Sequence, residues 1–204
     1  MELVNRAHVR FTIVGLILAC LPVVHALDPT GKYSQDPVDL GDHAKFWYDV
    51  DFNSRIAHLA LKITDKASVN NAKNANWLGL GVSEPTSGSM LGSDIVTGEF
   101  PGGETEKCTI KDRYVPFAAY PLVDNKNKSP AVYPKEDTCQ ADDSWKLVRC
   151  VRDVNTGEMV LEVTRSLDAH DAQDRPIGPN QQNIIHAYGS SFAYHGSARG
   201  SRQI

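Results

Sequence analysis

Residues 77–100 read WLGLGVSEPTSGSMLGSDIVTGEF, and this stretch decides the fold. Trp77 to Val82 is apolar and small, a strand composition, and Gly79 and Gly81 let another backbone or a flat ligand come close. Ser83 to Ser89 carries Pro85, Gly88 and several Ser/Thr residues, which is turn chemistry without a hydrophobic period. Met90 stands at the end of that loop, before Leu91-Gly92-Ser93-Asp94, and Ile95 to Phe100 reads as a second strand. The unit is strand, polar loop, one thioether, strand.

The flanks repeat the strand pattern. Phe46 to Phe52 is aromatic and half alternating. After a turn at Asn53-Ser54, Ile56 to Thr64 puts Ile56, His58, Ala60 and Lys62 on one face and Ala57, Leu59, Leu61 and Ile63 on the other. These two runs predict a hairpin. Lys107 to Val115 is a further strand. Residues 116–143 form a long loop with four prolines, a length that points to function in a compact domain. Trp145 to Val151 and Met159 to Arg165, joined by Asn155-Thr156-Gly157, predict a second hairpin, and Asn183 to Gly189 is the last clear strand. A closing strand would only be starting at Ile204, which reads as a short last strand or a truncated one. About eight or nine short strands with no helical stripe predict an all-β sandwich or barrel.

The chain has 204 residues and a formal net charge of −4, with no basic stripe, which argues against a nucleic-acid partner. Residues 1–26 read as a signal peptide. Arg6, His8 and Arg10 precede an apolar run from Phe11 to Val24, and Val24-His25-Ala26 offers a small-residue cleavage pattern. The run is short for a membrane span, so contact with a membrane would come only through an uncleaved signal anchor. Residues 27–45 are an irregular lead-in and residues 46–204 the domain. The expected location is extracellular. Cys108, Cys139 and Cys150 remain after cleavage, enough for one disulfide and one leftover thiol. Antiparallel neighbours beginning near Cys108 and ending near Cys150 would join those two; Cys139–Cys150 is the alternative. Asn127-Lys128-Ser129 is a glycosylation sequon, followed by Pro130.

The run WLGLGVS…M-L-GSDIVTG resembles the core motif of DOMON domains, secreted immunoglobulin-like β-sandwich modules. A second run, R-S-L-D…D-x-Q-D-R-P-I over residues 165–177, resembles the dopamine β-hydroxylase branch of the same family. The resemblance spans nearly all of residues 46–202. In haem-carrying members, the methionine before the G-S-D-like turn and a histidine near the C-terminal end are the axial ligands of haem b. Met90 and His195 take those positions here. The resemblance implies a module that passes single electrons to or from a redox partner: a flavin dehydrogenase, a membrane cytochrome or a copper enzyme. It implies electron transfer or binding rather than catalysis by the domain itself.

A six-coordinate haem needs two donors on opposite faces of an apolar slot, and a thioether raises its reduction potential. Trp77, Leu80, Tyr188, Phe192 and Trp47 are the expected walls, and Arg199 and Arg202 read either as partners for propionates or as a solvated basic end. Met90 also reads as a gap-filling core residue, and His195 as a surface histidine. His186 is a rival ligand or a satisfied core histidine. Asp94 caps the turn after Met90 or joins a small metal site, and His170 with Asp168, Asp171 and Asp174 is a solvated acidic turn or a hard-cation site. No G-x-S-x-G, H-E-x-x-H, phosphate loop or C-x-x-C occurs, nor the histidine clusters of copper hydroxylases. Two alternatives stand beside the cytochrome reading. One is a haem-free module binding a carbohydrate or another small ligand. The other is the N-terminal part of a larger redox or copper monooxygenase-like protein.

Overall fold

The computed structural model describes residues 27–41, 43–64, 75–83, 88, 90–101, 108–116, 134–137, 144–153, 155–190, 192 and 198–204. Two antiparallel sheets face one another in a β-sandwich. The first has the order β1 (Val38–Gly41), β2 (Ala44–Asp51), β3 (Ile56–Ile63), β9 (Met159–Ser166), β8 (Trp145–Arg152). The second runs β11 (Arg199–Gln203), β10 (Asn183–Gly189), β4 (Trp77–Ser83), β5 (Asp94–Glu99), β6 (Thr109–Tyr114), β7 (Lys135–Glu136).

Both predicted hairpins are present. The β2–β3 register sets Phe46 opposite Leu61 and Tyr48 opposite Leu59, and the β8–β9 register sets Cys150 opposite Leu161. At the tip of the first hairpin, Asp51 accepts from the amides of Asn53 and Ser54, and Arg55 takes a positive φ of 57°. Two short strands went unread in the sequence: β1 lies inside the expected irregular lead-in and β7 inside the long loop. β11 is the short strand expected near the end of the sequence, but it begins at Arg199 rather than at Ile204, and it pairs with β10 from Asn183 to Ala187. It offers few apolar side chains, so its pairing comes from backbone hydrogen bonds rather than from a legible hydrophobic pattern.

The alternation along each strand sends one set of side chains into the space between the sheets. Phe46, Leu59, Leu61, Ile63, Leu161 and Val163 come from the first sheet, and Leu78, Leu80, Val82, Val96, Ile184 and Tyr188 from the second. The Cys108–Cys150 disulfide crosses this layer, with Cα atoms 5.6 Å apart. The pairing agrees with expectation, but for a different reason. β6 and β8 are not neighbours in one sheet; they belong to opposite sheets, and the bond staples the two layers together. Gly98 makes room for it, because a Cβ there would lie 2.8 Å from Cys150 Sγ and 3.0 Å from Cys108 Sγ.

The lead-in lies across the outer face of the first sheet. Glu162, fully buried on that face, accepts from the amides of Thr30 (2.9 Å) and Gly31 (3.0 Å) and from Arg149 Nη1 (3.3 Å). With the hydroxyls of Thr30 (3.3 Å) and Tyr33 (3.4 Å) also donating, these donors offset the cost of burying its charge. Burial beside this carboxylate also pushes the Tyr33 hydroxyl well above its usual pKa. Among the described residues no helix is long and apolar enough to cross a membrane.

Replacing both Cys108 and Cys150 by alanine is expected to lower the unfolding free energy by about 2–4 kcal/mol, since the bridge closes a long loop. Equilibrium denaturation in urea measures this, with oxidised wild type as reference.

Candidate functional site

The register divides the expected site residues between different faces. On β4, Leu78, Leu80 and Val82 point into the sandwich, so Trp77, Gly79 and Gly81 face outward. On β5 the outward residues are Ile95, Thr97 and Glu99, and on β10 Ile185 and Ala187. Ile95, Val115 and Ile185 form a small apolar cluster on this outer face, separated by the sheet from the main core, and Met90 and Leu91 pack against it. Trp77 lies further along the same face: a Cβ on Gly79 would touch its ring at 3.4 Å. Phe192 meets Trp77 edge to face at 5.1 Å between ring centroids.

Met90, Trp77 and Phe192 thus share one surface. Tyr188 and Leu80 do not; both are buried in the sandwich interior, on the inner side of the same sheet. The reason is parity. Tyr188 pairs with Leu78, and directly paired residues point the same way. Trp47 is on the other sheet altogether, lining a cleft of about 440 Å³ between the lead-in and β2–β3. His186 pairs with Leu80 and is buried on the inner side, so it does not share the Met90 surface. Arg199 pairs with Ala187 and Arg202 with Ile184, which sends the two arginines to opposite faces of β11. His195, Asn127 and Cys139 lie outside the described residues.

Several outward positions of this sheet are nevertheless buried: Ser83, Thr97, Trp77, Ile95 and Arg113 among them. Arg113 was not singled out in the sequence. Its guanidinium stands 4.2 Å from the Phe192 ring centroid, donates to Thr97 Oγ1 (3.0 Å) and pairs with Glu99 (2.7 Å). A cation over an aromatic ring and against a carboxylate fixes the Trp77–Phe192 end of the surface. Its signal was available, because Arg113 alternates with the inward residues of β6.

The floor of the surface is set by glycine. A Cβ on Gly81 would lie 2.8 Å from the Asp94 carbonyl oxygen and from Ile95 Cγ1, and 3.1 Å from Ile185 Cγ1. With hydrogen there instead, the two isoleucines close over the strand. The Met90 turn is tied on both sides. Gly92, at φ 65°, donates its amide to Val115 O (2.7 Å), and the Ser93 amide and hydroxyl both donate to Met90 O.

Asp94 does not cap this turn through neighbouring amides. Its side chain points inward and is almost fully buried. Trp145 Nε1 donates to Oδ1 at 2.6 Å, the Arg175 amide to Oδ2 at 3.0 Å, and Arg165 Nη2 pairs with Oδ2. Burial raises the carboxyl pKa, and Arg165 and the other donors pull against that rise. Arg175 Nε in turn donates to the Gly92 carbonyl, so the interior node reaches the Met90 turn.

A second group of acids assembles close by. One carboxylate oxygen each from Asp112, Asp137 and Asp174 lie within 4.8 Å of one another, from β6, the end of β7 and the loop after β9. This differs from the acidic turn expected from sequence, which grouped His170 with Asp168, Asp171 and Asp174. Asp168 is taken by Arg55, Asp171 accepts from the amides of Gln173 and Asp174, and only Asp174 joins the cluster. Burial, then the charges of Asp94, Asp137 and Asp174, push the Asp112 carboxyl up to about 8. Among the described residues Asp112 Oδ1 is buried without a hydrogen bond, while Ser144 Oγ donates to Oδ2 at 3.2 Å. Three converging carboxylates are the donor set that a hard cation takes. Asp112 lies opposite Val96 and so points inward, a placement that register between strands decides.

No protein-family model matches the chain.

The raised Asp112 pKa has a definite sign. Between the model-peptide value of 3.8 and about 8, the folded state holds a proton that the unfolded chain has lost. Metal-free protein should therefore lose stability as pH rises across that window. Asp112→Asn should flatten the slope and raise stability at pH ~8 by at least about 1.4 kcal/mol, the worth of one pKa unit. Denaturation midpoints across the pH range, with chelator present, check it.

Proposed function

We propose that this chain is a secreted DOMON-type β-sandwich module. It binds one haem b on the outer face of the second sheet and passes single electrons to or from a redox partner. The observation that carries the reading is the position of Met90. The residue the family resemblance marks as a ligand sits on an apolar outer surface with Ile95, Val115 and Ile185, beside a glycine floor and in line with Trp77 and Phe192. A half-buried thioether beside this apolar cluster offers one donor to a porphyrin iron, and His195 would supply the other ligand. When bound, haem with methionine and histidine ligation supplies reversible one-electron chemistry.

The chain's own residues have simpler tasks. Met90 offers sulfur from a turn held by Gly92 and Ser93. Trp77 and Phe192 exclude water from one end, and Arg113 holds Phe192. The Cys108–Cys150 disulfide suits an oxidising, extracellular setting. The partner would be a flavin dehydrogenase, a membrane cytochrome or a copper enzyme.

A second reading has one observation behind it. The Asp112, Asp137 and Asp174 cluster favours a haem-free module of the same family, held in shape by a hard cation and binding a small ligand such as a carbohydrate.

Haemin titration of the purified protein separates the two. The cytochrome reading expects a Soret band with a low-spin reduced spectrum. Met90→Ala should turn it high-spin and lower affinity for haemin by about tenfold or more, as expected on losing one ligand bond of at least 1.4 kcal/mol. A protein that stays colourless, with calcium raising its melting temperature, would replace the first reading by the second.

A further inference from the structure

We propose that Glu158, flanked by Lys62 and Asp28, is a receptor for the free amino group that cleavage after Ala26 leaves on Leu27. The Leu27 nitrogen lies 3.0 Å from Glu158 Oε2. The other carboxylate oxygen, Oε1, is 3.4 Å from Lys62 Nζ, and Lys62 reaches Asp28 Oδ1 at 2.8 Å. As long as Leu27 is inside a peptide bond, this group counts two carboxylates and one ammonium. A free α-ammonium on Leu27 makes it two and two. The neighbouring pair, Glu162 with Arg149, is already balanced by itself.

The surroundings make that last charge count. The side chains of Lys62 and Glu158 are only 5% and 17% exposed, so a charged donor gains more here than in open water. Asp28 is largely exposed and contributes less. The amine also arrives already placed. Arg149 Nη1 donates to the Asp28 carbonyl at 2.9 Å, and the amides of Thr30 and Gly31 are held by Glu162. The residue next to Leu27 is therefore fixed, and little further ordering is needed.

The sequence supplies the matching cut. Val24-His25-Ala26 places small residues one and three positions before the bond to Leu27. A protease of the secretory pathway adds water across the Ala26–Leu27 peptide bond. Ala26 leaves as a carboxylate, and the Leu27 nitrogen keeps its electron pair and takes up protons to become an ammonium. Processing therefore completes an ion network of the mature fold as well as removing a leader. The inference does not depend on whether haem is bound.

The pH dependence follows from the groups around the amine: Glu158, Lys62 and Asp28 in contact, Arg149 and Glu162 behind them, and Lys45 and Asp36 further along the cleft. An α-amino group ordinarily titrates at about 7.7–8.0, and the facing carboxylate raises it in the folded state. The stabilisation is then complete below about pH 7.5 and is lost as pH rises through the raised value.

The test uses the full chain expressed in a secreting host. Intact mass and N-terminal sequencing should give a chain starting at Leu27; any other start overturns the proposal. That chain is then compared with one that retains Ala26 ahead of Leu27 and with one acetylated on the Leu27 nitrogen. At pH ~6.5 the free-amine chain should melt roughly 2–4 °C above both. The gap should close by about pH 10 and be absent in a Glu158→Gln background. Equal melting temperatures for the three chains at pH ~6.5, or a gap that persists in Glu158→Gln, would also overturn it.

Discussion

One buried carboxylate, that of Asp94, ties together parts of the chain that are far apart in sequence. It sits on β5 of the second sheet, yet its partners Trp145 and Arg165 belong to β8 and β9 of the first, and Arg175 to the loop beyond. Arg165 is itself fully buried, with its guanidinium 5.0 Å from the Trp145 ring centroid. A charge in this position is costly when alone, so each partner requires the others. The disulfide from Cys108 to Cys150 is a second staple between the two layers. Together they fix how the sheets face one another.

That constraint reaches the outer surface through a short route. Asp94 follows Ser93 directly, and Arg175, whose amide it accepts, donates its own side chain to Gly92. The Met90 turn is thus held from beneath by the interior and from the side by Val115. A side chain meant to meet a ligand needs such support, because a loop alone would leave its position to chance. The same node explains the acids nearby. The Asp94 charge helps raise Asp112, and Asp137 and Asp174 add to it.

The two outer faces are treated differently. On the first sheet, the lead-in is held by Glu162 and Lys62 through backbone amides and one ion pair. On the second, glycines keep the strand low and isoleucines close over it. The first is a polar clasp; the second is apolar around Met90 and carries the Arg113–Glu99 pair towards Trp77 and Phe192.

Much of the layout was legible in the sequence. Strand-forming runs joined by turn residues gave the two hairpins: Ala57, Leu59, Leu61 and Ile63 take every second position after Asn53-Ser54, and Met159 to Arg165 follows Asn155-Thr156-Gly157. The sandwich followed from short strands and turn residues. Short strands such as β1 and β7 escaped, and the start of β11 was placed too late, because backbone pairing at a sheet edge needs no apolar pattern. The site was only partly legible. Met90, Trp77 and Phe192 fall on one face of the second sheet, but Tyr188 and Leu80 were assigned to the same surface without regard to the face each occupies. Parity within a strand was readable, whereas the face that turns inward is set by register between strands. The Asp112, Asp137 and Asp174 grouping was illegible for the same reason: its members come from three segments whose proximity exists only in the folded chain.

The tie through Asp94 is best tested by a double-mutant cycle pairing Asp94→Asn with Arg165→Met, each variant unfolded in denaturant at neutral pH. If this carboxylate joins the sheets as described, the two substitutions couple by at least about 1 kcal/mol, the double variant losing less than the sum of the singles. Additive losses, within about 0.3 kcal/mol, would contradict it.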